Sequence, residues 1–251
     1  MLYLKTKNTG MLKNIFSGIS ALSPELEFTF EKNYIKASAM NRAGISASII
    51  RILRFMFSEY EFDENNKVIL NTIDVANILK QAKDDDLVEF KTDESNAILK
   101  ITITTENKKI KEYEITTLTD ISITVPPKED MELEFEYNFD RDSFINAINS
   151  VSIIDANNKS IILSAKNGTF NIVKMSDVKN KKANVCLDFI KAEKEQESKY
   201  NSSEIINMLL AGKDATYCKL KFASNMPLIL CFETKDYFKL TFMVAPIVAN
   251  D

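Results

Sequence analysis

The stretch Met131-Glu132-Leu133-Glu134-Phe135-Glu136-Tyr137-Asn138-Phe139 places an apolar residue at every odd position. This is the period-two signature of a strand with one buried face. A shorter alternation, Leu2-Tyr3-Leu4-Lys5, opens the chain. Each is followed by an apolar stripe at helical spacing: Leu12, Ile15, Phe16 and Ile19 after the first, and Phe144, Ile145, Ile148 and Val151 after the second. The likeness continues further along. Asn71–Asp84 lies on Asn201–Asp214 without a gap, matching Asn71 with Asn201, Asp74 with Glu204, Leu79 with Leu209, Lys83 with Lys213 and Asp84 with Asp214. In both, an Asn or hydroxyl side chain can accept from the free N–H groups of a first helical turn. The acid three residues after the Asn suits the positive end of the helix dipole. Strand patterns follow each helix, Leu87–Lys91 and Ile98–Thr104 in one half, Tyr217–Phe222 and Leu228–Phe232 in the other.

Strand, helix, strands, helix, strands therefore recurs in order. That recurrence argues for a duplicated unit over a chance likeness of two amphipathic helices. The pattern predicts an α+β protein with one unit over 1–118, a connecting loop over 119–130 and a second unit over 131–251. In the loop, Pro126 and Pro127 cannot donate to a ladder and favour extended chain. Ile121, Ile123 and Val125 alternate there, more apolar than a simple tether requires.

Composition removes most chemistry. The chain has no histidine, so Ser-His-Asp, Cys-His and His-ligated metal arrangements are excluded within it. Its five glycines are not spaced as a dinucleotide or Walker loop. Three cysteines with no C-x-x-C pair read as free thiols in a reducing compartment. No apolar run reaches the ~18 residues that span a bilayer, and the first residues lack the look of a secretory signal. The 36 acids leave carboxylate catalysis arithmetically open, but no pair stands out from solvated surface charge. No cofactor is expected.

A net charge of −4 and a pI near 5.2 argue against nucleic acid as a partner if charge is uniformly spread. It is not. Acids crowd strands and loops, such as Glu59, Glu61, Asp84–Asp86, Glu132, Glu134 and Glu136, while the predicted helices carry few beyond their first turns, where Asp74, Asp142 and Glu204 fall. Lys13, Lys80, Lys83 and Lys213 lie among otherwise neutral helix positions. Such faces could turn toward phosphate with weak, sequence-blind contact, or the lysines could be scattered solvated charge.

Several pieces, taken in order, resemble the archaeal–eukaryotic sliding DNA clamp family, proliferating cell nuclear antigen (PCNA). They are Ala39-Met40-Asn41-Arg42-Ala43-Gly44-Ile45-Ser46, Phe57-Ser58-Glu59-Tyr60, Ile78-Leu79-Lys80, Met226-Pro227-Leu228 and Phe242-Met243-Val244-Ala245-Pro246. No single piece is specific; their order over nearly the whole chain is. The resemblance implies the clamp fold, two similar domains each with helices on a curved antiparallel sheet. It implies a ring of this chain and two further subunits around double-stranded DNA, with helices and Lys13, Lys80, Lys83 and Lys213 lining the hole. Subunits are expected to join by edge strands over Lys109–Leu118 and Lys182–Phe189, through Ile110, Lys111, Tyr113, Ile115, Val185 and Leu187. On residues alone, these segments could equally be ordinary strands inside one sheet.

The resemblance further implies a pocket for a short client motif with a Gln, an aliphatic residue and two aromatics. Its matching positions are Met40, Gly44, Ile45, Ala47, Ile123, Val125, Pro126, Pro227, Met243, Val244, Ala245 and Pro246. The expected clients are DNA polymerase, clamp loader, ligase and flap nuclease, with no membrane partner. The compartment would be the cytoplasm of an archaeon or the nucleus of a eukaryote. Departures exist: Gly44 and Ala47 replace larger residues of many relatives, and Asn146, Asn149 and Leu210 stand at positions often basic. That thin basic lining leans toward a heterotrimer over a homotrimer. The alternatives are a checkpoint-type clamp subunit and, in a different class, a carboxylate-based enzyme on an unrelated repeat fold.

Overall fold

The computed structural model describes residues 1–63, 67–119, 121, 123–124, 126, 131–176, 181–189 and 194–248. In the first half run β1 (Leu2–Thr6), α1 (Thr9–Leu22), β2 (Glu25–Phe30), β3 (Tyr34–Met40), β4 (Ser46–Leu53), β5 (Glu59–Phe62), β6 (Lys67–Asn71), α2 (Thr72–Leu79), β7 (Leu87–Thr92), β8 (Ile98–Thr104) and β9 (Ile110–Thr116). Among the described residues the second half repeats the order without a counterpart of β5, with β10 (Phe135–Asn138), α3 (Arg141–Ser152), β11 (Ser160–Lys166), β12 (Thr169–Met175), β13 (Lys182–Phe189), β14 (Gln196–Asn201), α4 (Ser202–Ala211), β15 (Tyr217–Phe222), β16 (Leu228–Glu233) and β17 (Phe238–Val244).

Both matched helices start as their sequence dictates. The Asn71 side chain accepts from the Ile73 N–H at 3.0 Å, and Asn201 accepts from the Ser203 N–H at 2.9 Å. α3 uses Asp140, whose carboxylate accepts from the Ser143 N–H at 2.8 Å and is held below the usual carboxylate range by the Ser143 side chain and N–H. The matched stretch extends beyond helix in each case: α2 ends at Leu79 and α4 at Ala211.

Among the described residues three antiparallel sheets result, ordered β5-β1-β7-β8-β9, β13-β12-β11-β14 and β10-β15-β16-β17-β4-β3-β2-β6. The eight-stranded sheet passes through both halves, because β17 pairs with β4 from Phe238 opposite Ile52 to Val244 opposite Ser46. One apolar core accordingly contains Leu12, Ile15 and Ile19 of α1 together with Phe144, Ile148, Ile205 and Leu209 of the second half. The helices pack side by side in the order α2, α1, α4, α3. At the crossing of α1 and α4 the backbones approach so closely that a Cβ on Gly18 would lie 2.3 Å from the Ala211 Cβ. A glycine is the residue that permits this approach.

One strand expectation is corrected. Of the alternating 131–139 stretch, only Phe135–Asn138 forms a strand. Phe135 packs on Phe170 and Phe222 in the core, whereas Met131 and Leu133 lie against Ala47, Ile49, Ile229 and Met243 in a separate cluster on the opposite face of the large sheet. Between them, Glu134 is drawn aside by Lys194 at 2.7 Å and by the Gln196 amide. Alternation reports which residues seek apolar surroundings; it does not say that they find them on one face.

Candidate functional site

The outer cluster lies where three segments converge. At the turn between β3 and β4, the Asn41 carboxamide oxygen accepts from the N–H groups of Ile45 (2.9 Å) and Ser46 (3.2 Å). Gly44 takes φ +70° there and donates to the Asn41 carbonyl at 2.9 Å, a backbone conformation that glycine adopts without steric cost. The Ile45 carbonyl accepts from the Ala245 N–H at 2.7 Å, fastening the segment after β17 to this turn. The connecting loop arrives from the other side, with the Met40 N–H donating to the Thr124 carbonyl at 3.0 Å.

Of the residues expected in the pocket, Met40, Ala47 and Met243 are brought together on this outer face. Ile45 is exposed on the turn, and Ile123 lines a groove with Ile121, Met40 and Arg42. Pro126, Pro227, Ala245 and Pro246 are half-buried in the adjoining segments. Val244 is a correction: it is 1% exposed and joins the main core, because neighbours along β17 point to opposite faces and Met243 takes the outward one. Val125 lies outside the described residues. Met131 and Leu133 also pack on this cluster, outside the expected pocket residues, because their alternation in sequence signals a strand and not the face they meet.

The helix layer presents the second surface. Its exposed and half-exposed positions on α1 include Lys13, Asn14, Ser17 and Ser20, with no acid. Lys13 is not free for a ligand, however. Its Nζ donates to the Ala82 carbonyl and to Asp84, each at 2.9 Å. That hydrogen bond and the Lys13 charge, with Lys213 adding, hold the Asp84 carboxyl below its ordinary range. Lys80, Lys83 and Lys213 are exposed. A parallel contact ties the halves together, with Asn14 Nδ2 donating to Asp214 at 2.7 Å.

The third surface is a pair of open edges. β9 and β13 each end a sheet, so the reading of these segments as interior strands does not hold. Tyr113, Ile115, Val185 and Leu187 are half-buried against the core, Ile110 and Lys111 are exposed, and Lys111 Nζ reaches the Gln81 carbonyl at 2.9 Å. Two large apolar side chains stand exposed: Phe189, the last residue of β13, at 84% and Ile153, just after α3, at 83%.

The family model for the N-terminal domain of proliferating cell nuclear antigen matches residues 1–125. The DNA polymerase sliding clamp of Methanothermobacter thermautotrophicus is 23% identical over 250 residues, covering 98% of both chains. DNA polymerase sliding clamp 1 of Sulfolobus acidocaldarius is 24% identical over 243 residues, covering 94% of this chain and 95% of that one. This chain belongs to the proliferating cell nuclear antigen family of sliding clamps. The crystal structure of PCNA from Thermococcus kodakaraensis superposes with a TM-score of 0.84 at 12% identity, over 98% of this chain and 100% of that one, which establishes the clamp fold. Within the PCNA framework, the outer cluster, the acid-poor helix layer and the two open edges fall on separate parts of one surface.

Proposed function

We propose that this chain is a subunit of a closed ring that encircles duplex DNA and serves polymerase as a processivity factor. The observation that carries the reading is an equivalence within the fold. Asn71 pairs with Glu25, and its counterpart Asn201 pairs with Ser160. Followed strand by strand, the registers make Ile50 of β4 equivalent to Val185 of β13. On the other side, Leu99 opposite Ile115 repeats as Leu228 opposite Val244, so β9 is the counterpart of β17. The two strands that join the halves, β4 and β17, are thus the counterparts of β13 and β9, two of the strands that end sheets. The joint between halves can recur between copies, with β9 of one molecule added to β13 of the next.

Such head-to-tail contacts close rings when the rotation permits, and pairing removes two open edges that would otherwise invite aggregation. Transfer of the β4–β17 register sets Tyr113 opposite Ala183, Ile110 opposite Cys186, and Glu114 opposite Lys182. Opposite charges face one another in that register, so the chain's two edges suit each other. This favours identical copies over the mixed ring toward which the thin basic lining leans. Three copies supply six half-units, with the helix layers inward and Lys80, Lys83 and Lys213 toward the phosphates. The outer cluster is the docking point for apolar client motifs, since Met and small aliphatic side chains form an adaptable apolar surface.

The role is non-catalytic, and the grip comes from enclosure. Polymerase product length on circular and linear primed DNA, with a clamp loader present, tests it. Long products on circles and short ones on linear DNA with open ends are expected; equal stimulation on both templates overturns the ring.

A further inference from the structure

The internal equivalence extends past the last strand of each half. After β9, the Leu118 N–H donates to the Ile69 carbonyl of β6 at 2.9 Å. After β17, the Ile247 N–H donates to the Lys199 carbonyl of β14 at 2.7 Å. Ile69 stands two residues before Asn71 and Lys199 two before Asn201, so the two bonds are the same contact made once in each half. Beyond Leu118, Ile121 and Ile123 lie against β2 and β3. Ile121 and Ile123 line a groove there with Glu27, Lys36 and Ser38.

The registers give the matching positions on β11 and β12. Ile162 stands for Glu27, Asn171 for Lys36, Val173 for Ser38 and Met175 for Met40. The second half thus replaces a charge and a hydroxyl by two aliphatic side chains. Ile162 and Val173 are directly opposite one another across the strands, an arrangement that favours apolar contact. Met175 is 52% exposed. A face that is polar and lined by Ile121 and Ile123 in the first half carries more aliphatic side chains in the second, where Ile162 and Val173 are half-buried and Met175 is exposed.

We infer that the outer face of β11 and β12 binds an extended segment of a partner protein with aliphatic residues at alternate positions, along the path that the connecting loop takes in the first half. The occupant is specified by the molecule itself: the same face, in the same fold, is already crossed by Ile-x-Ile chain. Lys199 is opposite Ile162, so an acidic residue flanking the aliphatic pair suits the site. The inference does not depend on the ring, because neither β9 nor β13 contributes a side chain to it.

A blocked peptide of sequence Thr119-Asp120-Ile121-Ser122-Ile123-Thr124-Val125-Pro126, added to the full chain, serves as the probe. Methyl NMR should show saturable shifts at Met175, Ile162 and Val173 with a Kd of ~1 mM or tighter. Met175→Glu should weaken the titration about tenfold, the effect of losing roughly one buried apolar side chain, while leaving Tm unchanged. Shifts confined to Met40, which report displacement of the chain's own loop, would overturn the inference. So would no shift at all, or a titration indifferent to Met175→Glu.

Discussion

A single carboxylate, Glu204, conflicts with its surroundings. It stands in the first turn of α4, where the helix dipole favours a negative charge by about 0.3–1 kcal/mol. Yet its Oε2 is buried without a hydrogen-bond partner, and desolvation raises its pKa, opposed only in part by the Ser46 hydroxyl. An unsatisfied buried polar atom costs about 1–3 kcal/mol, so burial outweighs the dipole. The linkage has a definite sign. With the folded pKa above the unfolded one, Glu204 contributes stability below about pH 4.3, and loses it as pH rises through the raised value. Glu204→Gln should therefore raise Tm at pH 7 by roughly 2–4 °C, for about 1 kcal/mol, and leave it unchanged near pH 4. Thermal melts at the two pH values decide it; an equal gain at both would mean that shape, not ionisation, is at work.

Elements were legible where a local rule sufficed. Asn71 and Asn201 announced two helix starts, and the stripe at Leu12, Ile15, Phe16 and Ile19 announced a buried helix face, all of which the fold contains. What alternation could not say is which sheet face an apolar residue meets, so Met131 and Leu133 were assigned to strand and Val244 to the outer pocket. Nor could Lys13 be seen as spoken for, because its partner Asp84 is 71 residues away. Edge strands are a question of neighbours, and sequence alone names none. The repeat supplies what sequence lacked, since it transfers the β4–β17 register to the open edges. Cys186 is exposed on β13 and falls opposite Ile110 in that register. Directly opposed residues on antiparallel strands have Cα atoms roughly 4.5–5.5 Å apart, within reach of a disulfide. Ile110→Cys should accordingly cross-link to the native Cys186 of another copy under mild oxidation, giving bands on a non-reducing gel that end at a covalent trimer. Glu114→Cys, four residues along, should give none. Cross-linking by both or by neither would remove the register.

At the scale of the whole molecule, charge and function pull in opposite directions. A chain of net charge −4 should be repelled by DNA, and an adhesive protein of this composition would bind poorly. Enclosure removes the need for adhesion, provided the wall near the duplex is not itself acidic. The helix layer meets that condition sparingly, with its acids in first turns and Lys13 neutralised by Asp84. Lys80, Lys83 and Lys213 are the exposed lysines of this surface. Each lysine that contacts a phosphate adds up to about 0.9 to the slope of log affinity against log salt. Replacing the three with Ala should flatten that slope and weaken binding to short open duplexes several-fold at low salt. On closed circular DNA the loaded ring should persist as long as the parent, because no bond to phosphate has to hold it there. Lys13→Ala should show the reverse: DNA binding unchanged, and a small loss of stability as Asp84 gives up its partner. Dissociation of labelled protein from circles and from short linear duplexes, followed at two salt concentrations, separates the cases. If the triple variant leaves circles as quickly as it leaves open ends, adhesion rather than topology holds the clamp.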